Sequence, residues 1–472
     1  MIDPMTARFR ALLAALIIIV VAVAGALYVG YRSGMASVHG TRGLDVATTG
    51  DVGSLLGAQH DDAALLDLAL RKMDSVYYKP FDAQLPLNGE SKALDLYLKG
   101  KHIAATLPHE SANGDPSHDA QSLATVLAYA QQHYGAKLGA NGDSDLTEAA
   151  LRGMLASVND PYTVYLSPKE NEGLQESLDG GNFGGIGVYI YQLKDGTVVV
   201  QPIEGLPAAH AGVKPGDVVD TVDGASIHGM TLDRVEQLIR GQAGSTVRIT
   251  VHPYKGTGER QYAITREIIH VPTVRAKMED GYEYIRLSDF GSTSAAEVKK
   301  ALLQGKAHNA KGYILDLRDN GGGLLDAAVR ISSLFIPQGT IVSTIDREGN
   351  KDVQEALGTA IGGLQPLVIL VNKYTASASE ITAGALQDYH LAKLVGTKTF
   401  GKGVVQSIYG TPDGGALKIT TARYVTPLGR DIQHKGIMPD VVVDQNVDPA
   451  LIDTPADKQL AAAKAQLHAL LR

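Results

Sequence analysis

Cysteine is absent from the 472 residues, which excludes thiol nucleophiles, disulfides and Cys-rich zinc sites. Tryptophan is absent too, and six phenylalanines stand against 20 tyrosines, a bias without a functional reading. Charge is sparse and mildly acidic. The 43 Lys and Arg against 51 Asp and Glu leave a net charge of −8. Nucleic acid is therefore not expected as a partner, because counterion release needs concentrated cations. Metal-ligand spacing is missing as well: there is no H-E-x-x-H, and His102, His109 and His118 lie apart in a polar stretch that reads as solvated surface. Neither a metal nor a cofactor is expected. With 44% hydrophobic and 20% charged residues, long disorder is not the main theme. What is plentiful is glycine, at 52 residues, which suits a backbone with many positive-φ or close-approach positions.

One long apolar run is present. Ala11 to Tyr31 carries no charge, and its 21 residues would rise about 31 Å as a helix, enough for a bilayer core of about 30 Å. Arg8 and Arg10 precede it and Arg32 follows. We read 1–10 as a short tail and 11–31 as an uncleaved transmembrane anchor in contact with lipid. A cleaved signal peptide, with Ala24-Gly25-Ala26 as small residues, is the weaker alternative, since the run is long for an h-region. Residues 32–62 read as a tether.

Beyond the tether, Leu66, Leu70, Met73 and Tyr77 recur at three or four, the mark of an amphipathic helix that Pro80 stops. Further helices are expected over Ala120 to Tyr134 and from Asp145, as N-cap, through Leu155. The stretch 83–119 between them mixes Gly, Pro, Asn, Asp and His and reads as an insertion or loop. From 180 to 268 the chain changes to short β-branched strands with turns such as Asp223-Gly224. A Gly-rich loop opens this region at Phe183-Gly184-Gly185-Ile186-Gly187-Val188.

The second half holds the chemistry. An apolar strand, Tyr313 to Leu317, runs into Arg318-Asp319-Asn320 and three glycines. A second, Leu367 to Val371, precedes a turn and a small-residue helix, with Ser377 and Ser379 at the junction. A helix N-terminus offers free N–H groups and the positive end of the macrodipole, suitable ground for an oxyanion. The bland alternative is an N-cap serine with Glu380 as an early-turn acid. Gly396-x4-Gly401-Lys402 nearly matches a phosphate-binding loop, but Gly403 lacks the hydroxyl and a β-branched stretch follows. Instead, Lys402, Val404 and Gln406 fall on one face of a strand by the period of two. A desolvated Lys402 would be a neutral amine able to act as a base, held by Gln406. Neither a G-x-S-x-G elbow nor S-x-x-K occurs. His390 and His434 keep a Ser-His-Asp arrangement open on composition, although His390 reads as surface.

PAAHAGVKPGDVVDTVDG and LIRGQAGSTVRITV resemble the circularly permuted PDZ domain of bacterial proteases. TASASEITAGALQDY, LVGTKTFGKGVVQS and YILDLRDNGGG, with ALRGMLASVNDPYTVYL before them and GRDIQHKGIMPDVVV after, resemble the carboxyl-terminal processing peptidases of the S41 family. These tail-specific proteases use a Ser-Lys dyad. The resemblance spans roughly 145–445 and implies Ser377 as nucleophile, Lys402 as general base and Gln406 as its assistant. Backbone N–H groups of Ala378 and Gly322 would form the oxyanion hole, with Gly321 where the family has proline. Segment 183–188 would bind the free C-terminus of a protein or peptide substrate. Val158-Asn159-Asp160-Pro161-Tyr162-Thr163 departs from the family pattern, at a place expected to lie far from the dyad. The implied fold is a multidomain α+β and α/β chain: a helical region with an insertion (63–168), a PDZ domain (169–268), a ClpP/crotonase-like α/β Ser-Lys core (269–445) and a C-terminal helix (446–472). With the anchor, this gives a single-pass protease of a bacterial cell membrane, its catalytic part outside the cytoplasm. A homo-oligomer is compatible with the sequence. The reading from another class is a membrane-tethered PDZ scaffold on an inactive protease fold, which would predict loss of Ser377, Lys402 or Gln406.

Overall fold

The apolar stripe that begins at Leu66 does form a helix: in the computed structural model it is α1, Asp62–Val76. The structure describes residues 62–178, 183–193, 195–254, 256–270, 272–363, 366–444 and 452–472. The expected anchor at 11–31 and the tether lie outside them. Among the described residues, no helix is long and apolar enough to cross a membrane.

The expected loop over 83–119 is corrected by α2, Gln84–Gly100. It is followed by α3, Pro116–Ala130, whose N-cap Asp115 accepts from Ser117 and His118, and by α4, Gly142–Ala156. Helix α4 begins three residues before Asp145, which sits in its first turn rather than capping it. Helix α2 buries Leu87, Leu94 and Leu98. Pro86 falls in its first turn, where a missing N–H forfeits no helical bond. Gly89 is a packing residue: a Cβ there would stand 2.3 Å from the carbonyl oxygen of Gly153 on α4. β1 (Val164–Leu166) and α5 (Pro168–Leu178) complete this stretch.

Two compact units make up the chain. One is Gln175–Pro272; the other joins the described residues up to Leu174 to Thr273–Arg472. The first holds β2 (Phe183–Gly185), β3 (Val188–Gln192), β4 (Val198–Pro202), α6 (Pro207–Ala211), β5 (Asp217–Val222), β6 (Ala225–Ser226), α7 (Leu232–Ile239), β7 (Thr246–Pro253), β8 (Arg260–Thr265) and β9 (Glu267–Ile269). Its antiparallel sheet runs β3-β4-β5-β7-β8, with β6 on β5, while β2 and β9 pair separately. Val200, Val219, Val235 and Ile249 are among its buried core. β3 is therefore an edge strand.

In the larger unit come β10 (Val274–Glu279), β11 (Tyr282–Leu287), α8 (Ser294–Ala307), β12 (Tyr313–Asp316), α9 (Leu325–Ser332), β13 (Thr340–Ile345), β14 (Lys351–Glu355), β15 (Leu367–Val371), α10 (Ala378–Asp388), β16 (Ala392–Gly396), β17 (Val404–Gly410), β18 (Ala416–Val425), β19 (Val441–Val442) and α11 (Lys458–Leu470). One sheet runs β10-β11-β12-β15-β16-β19, parallel from β11 onward. Every residue of β15 is buried because both faces are covered: Leu367, Ile369 and Val371 face one core, Val368 and Leu370 another that includes Leu460 and Leu467 of α11. Arg318, just after β12, is fully buried and pairs with Asp316 and with Asp457, the N-cap of α11. That ties the C-terminal helix to the strand leading into the glycine run. The other sheet is antiparallel, β1-β18-β13-β14 with β17 also on β18.

Candidate active site

Strand β15 delivers the chain to a tight turn, and α10 starts directly after Ser377. Ser377 takes φ 55° and ψ −119°, a conformation that costs a residue with a Cβ about 1–3 kcal/mol. It is 6% exposed. Ala378, first in the helix, has no helical carbonyl to receive its N–H. Ser379 is used structurally: it is buried and its Oγ donates to the Asn320 carbonyl at 3.0 Å.

Glu380 organises this region. Its Oε2 accepts from the backbone N–H of Ser377 at 3.0 Å and of Lys402 at 2.9 Å, while Oε1 accepts from Gly401 N–H at 2.7 Å and Thr399 Oγ1 at 2.5 Å. Backbone nitrogens of the expected nucleophile and base thus sit about 3 Å from one oxygen atom. Burial pushes this carboxyl up, and the four hydrogen bonds pull it back. The sequence reading missed the role; the available signal was a Glu three residues after an N-cap serine, the capping-box spacing. Tyr424 makes a second tie, its hydroxyl 2.5 Å from the Lys402 carbonyl and 3.2 Å from that of Ser377. Nothing in the sequence singled Tyr424 out.

Lys402 is fully buried, but not on a strand. β17 begins at Val404, and its ladder with β18 slips between Val405 and Gln406. Lys402 therefore precedes the strand on which Val404 and Gln406 alternate to one face, and the extra residue of the slip, Thr421, lies on β18. Gln406 is also fully buried; its Nε2 donates to Thr420 Oγ1 at 3.2 Å, and its Oε1 has no hydrogen-bond partner. Under the lysine lies Tyr162, with Nζ 4.7 Å from the ring centroid. That corrects the expected remoteness of segment 158–163. Asp160 fixes the turn, accepting from Tyr162 N–H and Thr163 Oγ1. Burial first, then the charge of Lys418, hold the Lys402 amine well below the ordinary lysine range, against Asp160 and Glu380.

The glycine run requires a second correction. Gly322 N–H, expected to face an oxyanion, donates to Asn320 Oδ1 at 2.8 Å. Gly322 instead allows close approach, since a Cβ there would fall 2.8 Å from Ala378 N and from Ser377 Cβ. Gly323 bridges Phe290 through its neighbours, Gly322 O and Leu324 N–H, so its own N–H stays outside that bridge. Gly323, Ser377, Ala378, Val404, Val405 and Tyr424 line one small cleft. His390 and His434 are exposed, unlike the buried Ser377 and Lys402. The near phosphate loop passes into β17, a strand where a helix would be needed.

In the smaller unit, Phe183–Gly185 form β2 against β9 rather than an open loop. Only Ile186 and Gly187 connect it to Val188, which opens the edge strand β3. Gly187 has φ 71°, and a Cβ on it would stand 2.4 Å from Leu206. The guanidinium of Arg240 lies 3.8 Å from the Phe183 ring centroid and pairs with Glu236 and Glu176. The sequence reading did not note it.

Residues 281–443 match the profile of peptidase family S41, and 198–252 match that of the PDZ domain. A carboxyl-terminal-processing protease of Synechocystis sp. is 40% identical over 324 residues, 67% of this chain and 76% of that protein. A carboxy-terminal-processing protease of Bartonella bacilliformis is 40% identical over 310 residues, 64% and 70% respectively. The solved photosystem II D1 C-terminal processing protease is 29% identical, with a TM-score of 0.46, covering 85% of this chain and 99% of that one. A mixed α/β chain with a PDZ domain and a matching protease core, 40% identical to such relatives, belongs to peptidase family S41, the carboxyl-terminal-processing serine proteases.

Proposed function

We propose that this protease cleaves through a Ser377–Lys402 dyad. The observation that carries the reading is the shared oxygen of Glu380, which holds the backbone of both residues. Strain at Ser377 and a desolvated amine at Lys402 support it, because a nucleophilic serine needs a neutral base beside it. Lys402 takes the Ser377 proton, Oγ attacks the scissile carbonyl, and the ammonium then protonates the leaving amine. Water hydrolyses the acyl-enzyme with Lys402 again as base. Gln406 Oε1, buried and without a partner, is the acceptor for the ammonium. Ala378 and Gly323, whose residues line the same cleft, supply the oxyanion N–H groups.

The substrate's free C-terminus is captured at Ile186–Gly187 and extends along edge strand β3, the mode by which PDZ domains add a strand. Residues 11–31 anchor the chain in a bacterial cell membrane, with the catalytic part outside the cytoplasm. Ser377→Ala and Lys402→Ala should each abolish cleavage of a disordered substrate and leave the thermal melt cooperative. Substantial turnover in both removes the dyad. A chain lacking residues 1–32 should leave the detergent phase and keep its activity; partitioning unchanged by the deletion removes the anchor.

A further inference from the structure

Lys402 has a buried lysine for a neighbour. Lys418 is 6% exposed and lies on β18, in register with Val164 of β1 and Ile408 of β17. Along β18, Leu417 and Ile419 belong to the core of the helical region, whereas Ala422 and Tyr424 belong to the protease core. The slip in the ladder leaves Thr421 unpaired between Thr420 and Ala422, so Lys418 and Thr420 share the face of their β17 partners Ile408 and Gln406 rather than that of Ala422 and Tyr424. On that face Thr420 takes the Gln406 amide, while farther along β18 Tyr424 reaches the Ser377 and Lys402 carbonyls. The turn 160–163 closes the group. Thr420 N–H donates to Thr163 Oγ1, Thr163 Oγ1 donates to Asp160 Oδ2, and the next ring, Tyr162, lies under Lys402. The two amines therefore share a buried region with the carboxyls of Asp160 and Glu380.

We propose that Lys418 is a positioning residue for the hydrolysis: its ammonium carries the one proton that the two amines share, so that Lys402 meets Ser377 as a neutral amine. The proposal rests on the dyad reading above. Two like charges in one desolvated site do not both ionise, and the proton settles where counter-charges are better. The charges of Asp160 in the turn and of Glu170 on α5, itself paired with Arg152 of α4, favour the ammonium of Lys418, while Lys402, ahead of β17, is opposed by Lys418 and favoured by Asp160 and Glu380. Burial, against the pull of Asp160 and Glu170, brings Lys418 to about 8. Without that charge the proton passes to Lys402, and the base is lost at a pH where the parent still works.

The test is the pH profile of kcat/KM on a disordered peptide, whose acid limb reports the base of the free enzyme. Lys418→Met should move the limb up by about one pH unit or more, the effect of removing a neighbouring like charge, with the loss shrinking as pH rises. Lys418→Arg, charged at every pH, should hold the limb at the parent's position. Glu170→Gln leaves Lys418 in place but weakens its hold on the proton. It should move the limb the same way by less, and it carries the test if Lys418→Met does not fold. An unmoved limb, an equal shift with arginine, or a loss equal at every pH overturns the proposal. Lys402→Ala, measured alongside, separates the two readings. Turnover there removes the dyad; a dead Lys402→Ala with an unmoved Lys418→Met limb removes only the role of Lys418.

Discussion

At the scale of single residues, the site is built from groups that cost stability. A buried lysine whose amine sits well below the ordinary range prefers to be neutral when folded, while the unfolded chain holds its proton until about pH 10.4. Between those two values the unfolded state binds more protons, so stability rises with pH across that window. Lys402 therefore lowers stability near neutrality, a penalty that fades toward pH 10. We expect Lys402→Met to raise the melting temperature at pH 7, each kcal/mol recovered being worth about 2–4 °C in domains of 150–250 residues, while cleavage is lost. The rise should shrink when the melt is repeated at pH 10. A melting temperature lowered equally at both pH values would mean that the amine is a structural hydrogen bonder rather than a tuned base. Activity of the parent should climb with pH in the same direction, as Lys402 gives up its proton.

At the scale of elements, close packing decides what the amino-acid pattern conceals. The motifs around Ser377, Lys402 and the glycine run were readable because each couples unusual residue types to a strand end. Helix α2 was not readable: Pro86, Asn88 and Gly89 look like a loop, and only the approach of Gly153 gives Gly89 its reason. Gly89→Val should destabilise the chain by about 1–3 kcal/mol, the usual cost of overpacking, measured as a lower urea midpoint. Unchanged stability would show that α2 and α4 separate without penalty. The slip of β18 against β17 was likewise invisible, since a ladder irregularity depends on its partner strand and leaves no mark in a period-of-two pattern. Long-range partners also explain why Tyr162, 240 positions before Lys402, escaped notice, and why Gly322 was chosen as a donor when Asn320 Oδ1 occupies its N–H.

At the scale of the whole molecule, one unit is proposed to capture a chain terminus and the other to cut, so the substrate's end should control hydrolysis at a bond that carries no such charge. The short connection Ile186–Gly187 is the part of the 183–188 segment outside strand pairing, and β3 beside it is an edge strand among the described residues. A terminal carboxylate bound there accepts charge-assisted hydrogen bonds, each worth roughly 1.5–3 kcal/mol. Amidating the substrate's C-terminus removes that charge, and the apparent Michaelis constant should rise about tenfold or more, 1.4 kcal/mol being tenfold. Turnover at saturation should fall as well if carboxylate capture shifts a resting population toward the active one. Gly187→Val forces a side chain into φ 71° and against Leu206. It should mimic amidation on a free-tail peptide and add little on an amidated one. The measurement is a two-by-two comparison of enzyme variant against substrate terminus, with the Ser377 probe-labelling rate as a control for an intact catalytic unit. Equal cleavage of free and amidated peptides by the parent enzyme would remove tail capture at 186–187, whatever Ser377 and Lys402 do.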